Sequence, residues 1–358
     1  MRSTLDELKQ GLSELKDFVS SIKHVNDALS SNENSEVRKF AALRRRFDNA
    51  AFIVALYASF ESYIEALGAA YANLEAKRLA YGHLPTKLIT KHLQRSADLL
   101  SRGRLGEGRY AGLTPAHVVA NLHGCLNGQT PYVLNSAAVV WHDTNFRAKD
   151  IDEIFAAVGI ENICTIARNG DSLNKWYAAA KGLSQAPADG VPSTVIVQRL
   201  NDIVERRNEV AHRGGNPEVL LGTHEMSESL GFIESLSEDI FSVVVANYLN
   251  AHITIGSGAE ILTLMEKPFR KGTLVVVSPP SIALYVGQAV FVCRHTGGAR
   301  WGRIQSMQLN GKEYQSLEPS TTAPEGIGIG LDFICTAKSS ITALEKDDDL
   351  IWTPKSVN

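Results

Sequence analysis

The chain has 358 residues, 44% of them apolar and 21% charged, with a formal net charge of -3. This is the composition of a globular protein long enough for more than one core, and it excludes a global electrostatic pull toward nucleic acid, so a polyanion partner would need a local basic patch. No apolar run reaches the roughly 18 residues of a spanning helix, and the opening MRSTLDELKQGLSELKDF is charged where a signal peptide is apolar, so a cytoplasmic protein with no membrane partner is expected.

In chain order, Leu5, Leu8, Leu12, Leu15, Val19 and Ile22 recur every three or four residues and mark an amphipathic docking or dimerising helix over residues 1–32. The polar SSNENSE breaks it. A helical domain is then predicted over 36–252, beginning with a long block in which Phe52, Leu56, Phe60, Tyr63, Ile64 and Leu67 share one face. Within it LTPAHVVANLHGCLNG carries Thr114 as N-cap with Pro115 at the first helical position. Past Lys267, short runs rich in Val, Ile and aromatics alternate with Gly, Pro and an Asn310-Gly311 turn, which predicts five to seven strands in a β-barrel or sandwich over 267–345. An acidic tail, 346–358, ends the chain. The expected fold class is α+β and multidomain: an all-α helical bundle followed by a small C-terminal β-barrel.

Cys125, Cys164, Cys293 and Cys335 are scattered and read as buried thiols. His117, His123 and His142 lack paired metal-ligand spacing, so neither metal nor cofactor is expected. The charge is densest in VERRNEVAHRGG, Val204–Gly215. On a helical wheel Leu200, Ile203, Val204, Val210 and Ala211 form an apolar stripe that includes Arg207, while Asn208 and His212 stand one turn apart at its edge. Arg206 and Glu209 project to the opposite side as surface charges, with a supporting role at most. A guanidinium in an apolar stripe costs several kcal/mol unless a carboxylate or phosphate meets it. A histidine that titrates near neutral pH suits proton transfer. Read without further context, such a pair is also compatible with a plain salt-bridged structural element.

RNEVAH, Arg207–His212, resembles the HEPN superfamily signature, an Arg followed after four to six residues by His, often with Asn directly after the Arg. LYASFESYIEAL at Leu56 and HDTNFRAKDIDEIFAAVGI at His142 resemble the branch associated with ribosomal L-PSP-type endoribonuclease domains, RiboL-PSP-HEPN. Together these stretches span about 200 residues, from roughly Val37 to Asn250.

The resemblance implies a helical bundle that forms a homodimer with two motifs facing one cleft, and a metal-independent endoribonuclease acting on RNA as a toxin or phage-defence effector. It implies His212 as general acid or base or as the group that orients the scissile phosphate, Arg207 on that phosphate, and Asn208 holding His212 or an RNA oxygen. Glu61 is a candidate partner for Arg207. Asn145 and Arg147 are expected to cap the next helix or to shape the cleft, and Arg44, Arg45, Arg46 and Arg213 to attract RNA or to serve as a solvated face. The alternative is a non-catalytic HEPN scaffold for RNA or a protein. The succession VGQAVFVCRH, WGRIQSMQLNGKEYQSL, GIGIGLDF and TALEKDD resembles the second-domain β-barrel of translation elongation GTPases, which implies a docking surface for RNA or a protein around Arg300, Trp301 and Arg303. A protein partner is then expected on that barrel or on the N-terminal helix.

Overall fold

A computed structural model of the full chain describes residues 1–102, 105–212, 219–255, 259–294, 297–319, 326–336 and 339–345. Arg213, the glycines after it and the acidic tail lie outside the described residues. The chain divides into two compact units at Ile240/Phe241, a division that falls inside a helix.

The first unit is helical. It comprises α1 (Arg2–Ser30), α2 (Ser35–Arg78), α3 (Thr86–Arg102), α4 (Pro115–Leu126), α5 (Ser136–Val139), α6 (Ala148–Ala157), α7 (Ile163–Ala167), α8 (Asp171–Lys181), α9 (Ser193–His212) and the start of α10 (Thr223–Ile255). The starts follow from capping chemistry. Asn34 accepts from the Glu36 amide at 2.9 Å to open α2, and Thr114 accepts from the His117 amide at 3.2 Å to open α4, with Pro115 in the first turn as predicted. At α8 the cap comes from another helix: Asp239 of α10 accepts from the Leu173 amide at 2.7 Å and the Ser172 amide at 3.3 Å. Gly170 makes room for it, since a Cβ there would fall 1.9 Å from the Asp239 carboxyl carbon. A carboxylate at a helix start both satisfies free amides and complements the dipole.

The α2 stripe is buried as the spacing predicts: Phe52, Leu56, Phe60, Tyr63, Ile64 and Leu67 are all 3% exposed or less. By length and composition α2 could cross a bilayer, which departs from the expectation that no segment qualifies; half of its apolar window is covered by the chain itself. The α1 seam is corrected in a similar way. Leu5, Leu8, Leu12, Val19 and Ile22 are buried within this unit, where Gly11 faces Ser59 of α2 and Lys9 and Lys16 pair with Glu238 and Glu234 of α10. A heptad-like seam specifies a partner surface without saying whose, and here the chain's own helices provide it.

The second unit is a curled antiparallel sheet. Its strands are β1 (Ala259–Leu262), β2 (Leu274–Val277), β3 (Leu284–Tyr285), β4 (Ala289–Cys293), β5 (Ala299–Leu309), β6 (Lys312–Tyr314), β7 (Ser316–Leu317), β8 (Ile327–Leu331) and β9 (Ser340–Leu344). The order is β1-β9-β4-β5-β8-β2, with β6 on β5 and a separate β3-β7 ladder. The edges β1 and β2 are drawn together through residues 263–265, where Met265 donates to Val276 O at 2.9 Å, so the sheet forms a half-barrel. It encloses Val275, Val277, Val290, Val292, Ile304, Met307, Ile329 and Ile341. The sheet starts before the predicted Lys267, and Asn310 and Gly311 turn β5 into β6 with positive φ at both positions (54° and 74°), the backbone an Asn-Gly hairpin demands.

Candidate functional site

Helix α9 buries Ile196, Leu200, Ile203, Val204 and Val210 and packs against α2 and α6. Arg207 lies on that stripe yet is only half-buried, and Ala211, predicted to belong to the stripe, is exposed. Arg207 is therefore not sunk in a core. Its guanidinium stands over the Tyr57 ring, 5.5 Å from the centroid, and Nη1 donates to Asn208 Oδ1 at 3.3 Å. The ring face and an amide oxygen take the place of the expected carboxylate.

The same Asn208 oxygen accepts from Asn145 Nδ2 at 2.8 Å. Asn145 Oδ1 lies 3.4 Å from Tyr57 Oη. The Tyr57 hydroxyl has one proton and gives it to Glu61 Oε1 at 3.0 Å, while its oxygen accepts from the buried Phe146 amide at 3.0 Å. Burial, ahead of the neighbouring Glu61, pushes the Tyr57 phenol well above its ordinary range, so it stays protonated.

His142 continues the chain of contacts. Nε2 lies 2.7 Å from Glu65 Oε1 and 3.9 Å from Glu61 Oε1, and Nδ1 lies 2.7 Å from Thr144 O. Both neighbours can only accept, so both ring nitrogens carry protons and the ring is an imidazolium. Burial opposes that charge, but the Glu65 bond, the Thr144 carbonyl and the two carboxylates outweigh it and raise the pKa. Arg147 reaches across to α9, donating to Asn201 at 2.7 Å and pairing with Glu205, while its amide donates to Asp150 Oδ2 at 2.9 Å at the start of α6. Asn145 and Arg147 thus shape the cleft with their side chains, and Arg147 is also the N-cap residue of α6, its amide held by Asp150.

A cleft of about 580 Å³ opens along these groups. Its walls include Glu61, His142, Asn145, Arg147, Lys149 and Val204. Among the described residues, Arg207, Asn208 and His212 are not walls of it; Arg207 and Asn208 are joined to it through Tyr57 and Asn145, and His212 is exposed at the end of α9.

The profile described as RiboL-PSP-HEPN matches residues 6–246, well over half of the chain. The chain belongs to the RiboL-PSP-HEPN family. Among curated proteins no sequence matches it. The HEPN match begins inside α1, so that helix is part of the HEPN region, and the half-barrel lies beyond it. HEPN domains are often ribonucleases, within a superfamily of nucleases and RNA-binding proteins generally.

The remaining predicted residues of this HEPN chain fall elsewhere. Glu61 faces Tyr57 and His142 rather than Arg207, because the tyrosine ring lies between the helices at that point. Arg206 pairs with Asp202 at 2.9 Å, and both Arg206 and Glu209 are half-buried where surface charges were expected. Arg44, Arg45 and Arg46 lie on α2, Arg44 paired with Asp48 at 3.3 Å; at 1.5 Å per residue, Arg46 is about 16 Å along the helix from Tyr57. In the sheet, Trp301 packs edge-on against Phe241 with centroids 5.7 Å apart. Arg300 and Arg303 donate to Ile334 O and Gly287 O. Tyr57, Glu65 and His142 were not singled out for the site from sequence. The signal was present in part, since Tyr57, Glu61 and Glu65 follow one another at four-residue steps along one helix face.

Proposed function

We propose that this chain is a HEPN-type endoribonuclease that cleaves RNA by attack of a 2'-hydroxyl on the adjacent phosphorus, without a metal ion. The observation that carries this reading is the state of Arg207. Among the described residues no carboxylate pairs with it and one of its five N–H donors is used, and it is half-exposed over an aromatic ring. A guanidinium so held is ready for a phosphate.

In the proposed reaction His212 takes the 2'-hydroxyl proton as the 2'-oxygen bonds to phosphorus. The P–O5' bond breaks, and the leaving oxygen is protonated by the conjugate acid of a second base. The products are a 2',3'-cyclic phosphate and a 5'-hydroxyl. Arg207 stabilises the pentacoordinate charge, worth about 3 kcal/mol for one well-placed donor. Because the motif edge stands beside the cleft and not in it, a second copy of the chain facing this edge would close the site and supply the second His212. The cellular role that fits is growth arrest as a toxin or phage-defence effector.

One observation favours the alternative of a non-catalytic RNA- or protein-binding module: Asn208 is bonded to Asn145 and Arg207, not to His212. The two are separated by incubating the native protein, Arg207→Ala and His212→Ala with RNA in EDTA and mapping the ends, alongside growth after expression. Cyclic-phosphate ends from the native protein alone support the enzyme. RNA left intact by the native protein, with no growth defect under any activating condition, removes that reading.

A further inference from the structure

A second cavity, of about 700 Å³, shares His142, Asp143, Thr144, Lys149 and Asp150 with the first, so the two meet at the turn before α6. One face of α3 lines it with Lys87, Lys91 and Arg95 at four-residue steps, and Lys149 completes the basic side with Trp141 beside it. Three of the four cations have carboxylate partners: Lys87 with Glu161 at 2.6 Å, Lys149 with Glu153 at 3.5 Å, and Arg95 with Asp98 and Asp143 at 2.9 Å each. The acidic walls are engaged as well. Asp143 accepts from Trp141 Nε1 at 2.8 Å and Asp150 from Thr144 Oγ1 at 2.6 Å.

Lys91 is different. Among the described residues it has no ion-pair partner, yet it is half-buried. Burial, then the neighbouring Arg95, pull its ammonium down to about 8, against the weaker pull of Glu153. The fold keeps a partly desolvated cation without a counter-ion in a cavity large enough for a nucleotide, which is the electrostatic deficit an anion would fill.

We propose that this cavity is a backbone-phosphate subsite for single-stranded RNA, with Lys91 its principal contact and Arg95 and Lys149 at its sides. The inference rests on the ribonuclease reading. A strand lying in the first cleft passes over the turn at His142–Thr144 and places a neighbouring phosphate at Lys91. The subsite reads charge and not sequence, so it contributes affinity and register without base preference.

The test uses the full chain and a short fluorescein-labelled 2'-O-methyl oligonucleotide, which binds but lacks the attacking hydroxyl. Anisotropy is measured across a salt series for the native protein, Lys91→Gln, Lys91→Arg and the exposed control Lys23→Gln. Lys91→Gln is expected to bind about tenfold more weakly and to lower the slope of log affinity against log salt by about 0.7, the value for one single-strand phosphate contact. Lys91→Arg should restore both, and Lys23→Gln should change neither.

Equal affinity and slope in the native protein and Lys91→Gln would overturn the subsite and leave the ribonuclease reading standing. No binding by the native protein overturns both. Inorganic phosphate or a mononucleotide is added in a separate arm, read by Trp141 fluorescence against Trp141→Phe. If these free anions alter the Trp141 signal while the oligonucleotide does not bind, the cavity serves a small anion and the subsite assignment fails.

Discussion

Two histidine-centred clusters in the helical unit show how the same side chain is made structural in one place and available in another. His92 on α3 is fully buried: its Nε2 accepts from the Asn135 amide at 2.9 Å, its Nδ1 therefore carries the proton, and the Tyr81 hydroxyl lies 3.0 Å from it. Asn135 in turn donates to Ser96 Oγ and Val118 O. Burial holds this imidazole neutral, with a pKa pulled down to about 4. His142, at the cleft, is held charged by Glu65 and continues through Glu61, Tyr57 and Asn145 to a half-exposed Arg207. A polar network with every member satisfied and no opening fixes the fold; one that ends on an underused cation facing water can act on something else.

The largest expected effect tests whether the open cluster is chemical at all. His212→Gln should lower cleavage by about 10²- to 10⁴-fold, the range for loss of a general base, with stability unchanged within about 0.5 kcal/mol since the side chain is exposed. Arg207→Ala should cost about 10²- to 10³-fold. If cleavage of a defined RNA survives both substitutions at the native rate, the two clusters are alike and the contrast collapses.

Next comes the closed cluster. His92→Leu should destabilise the protein by about 3 kcal/mol, because the Asn135 amide and Tyr81 hydroxyl lose a buried partner. The pH dependence has a definite sign. A histidine whose folded pKa is near 4 and unfolded pKa near 6.5 gives stability that is whole above 6.5 and lost as pH falls toward 4. Denaturant midpoints should therefore fall as pH drops through that window in the native protein and fall less in the variant, while cleavage per folded molecule at neutral pH stays intact. A variant that melts normally but no longer cuts would reverse the assignment.

A smaller effect separates support from chemistry inside the open cluster. Tyr57→Phe keeps the ring under Arg207 but deprives the buried Phe146 amide of its acceptor and Glu61 of its donor. A loss of about 2 kcal/mol in stability with cleavage within a few fold of native is expected. A large kinetic loss at full stability would instead make Tyr57 part of the reaction.

How far this was legible in advance differs between the clusters for a physical reason. Helical periodicity exposed the buried faces of α2 and α9, and the Arg-Asn-x-x-x-His spacing marked one end of the open site, because both are local along one helix. The contacts that complete it join Tyr57 to Asn145 and Asn145 to Asn208, residues far apart in sequence and brought together only by packing of α2, α6 and α9. The same limit explains Glu61. Its place at the edge of an apolar stripe was readable, but the ring between it and Arg207 was not. In the second unit the turn at Asn310-Gly311 was legible, whereas the pairing of residues 263–265 with β2 is a long-range closure with no local signature.

The smallest effect is the sharpest on the contrast itself, because it predicts opposite pH signs for two histidines of one domain. His142 has its pKa raised above 6.5, so between 6.5 and its folded value the folded chain binds more protons than the unfolded one. Its contribution is full below 6.5 and is lost as pH rises through the folded value. Near the surface such a pair is worth about 1 kcal/mol. His142→Gln should therefore destabilise the protein more at about pH 6 than at about pH 8.5, the reverse of the acid loss that His92 produces. Melts of both variants over that range decide it: parallel curves would mean that Glu65 does not hold a charged ring, and the imidazolium at the head of the cleft would have to be abandoned.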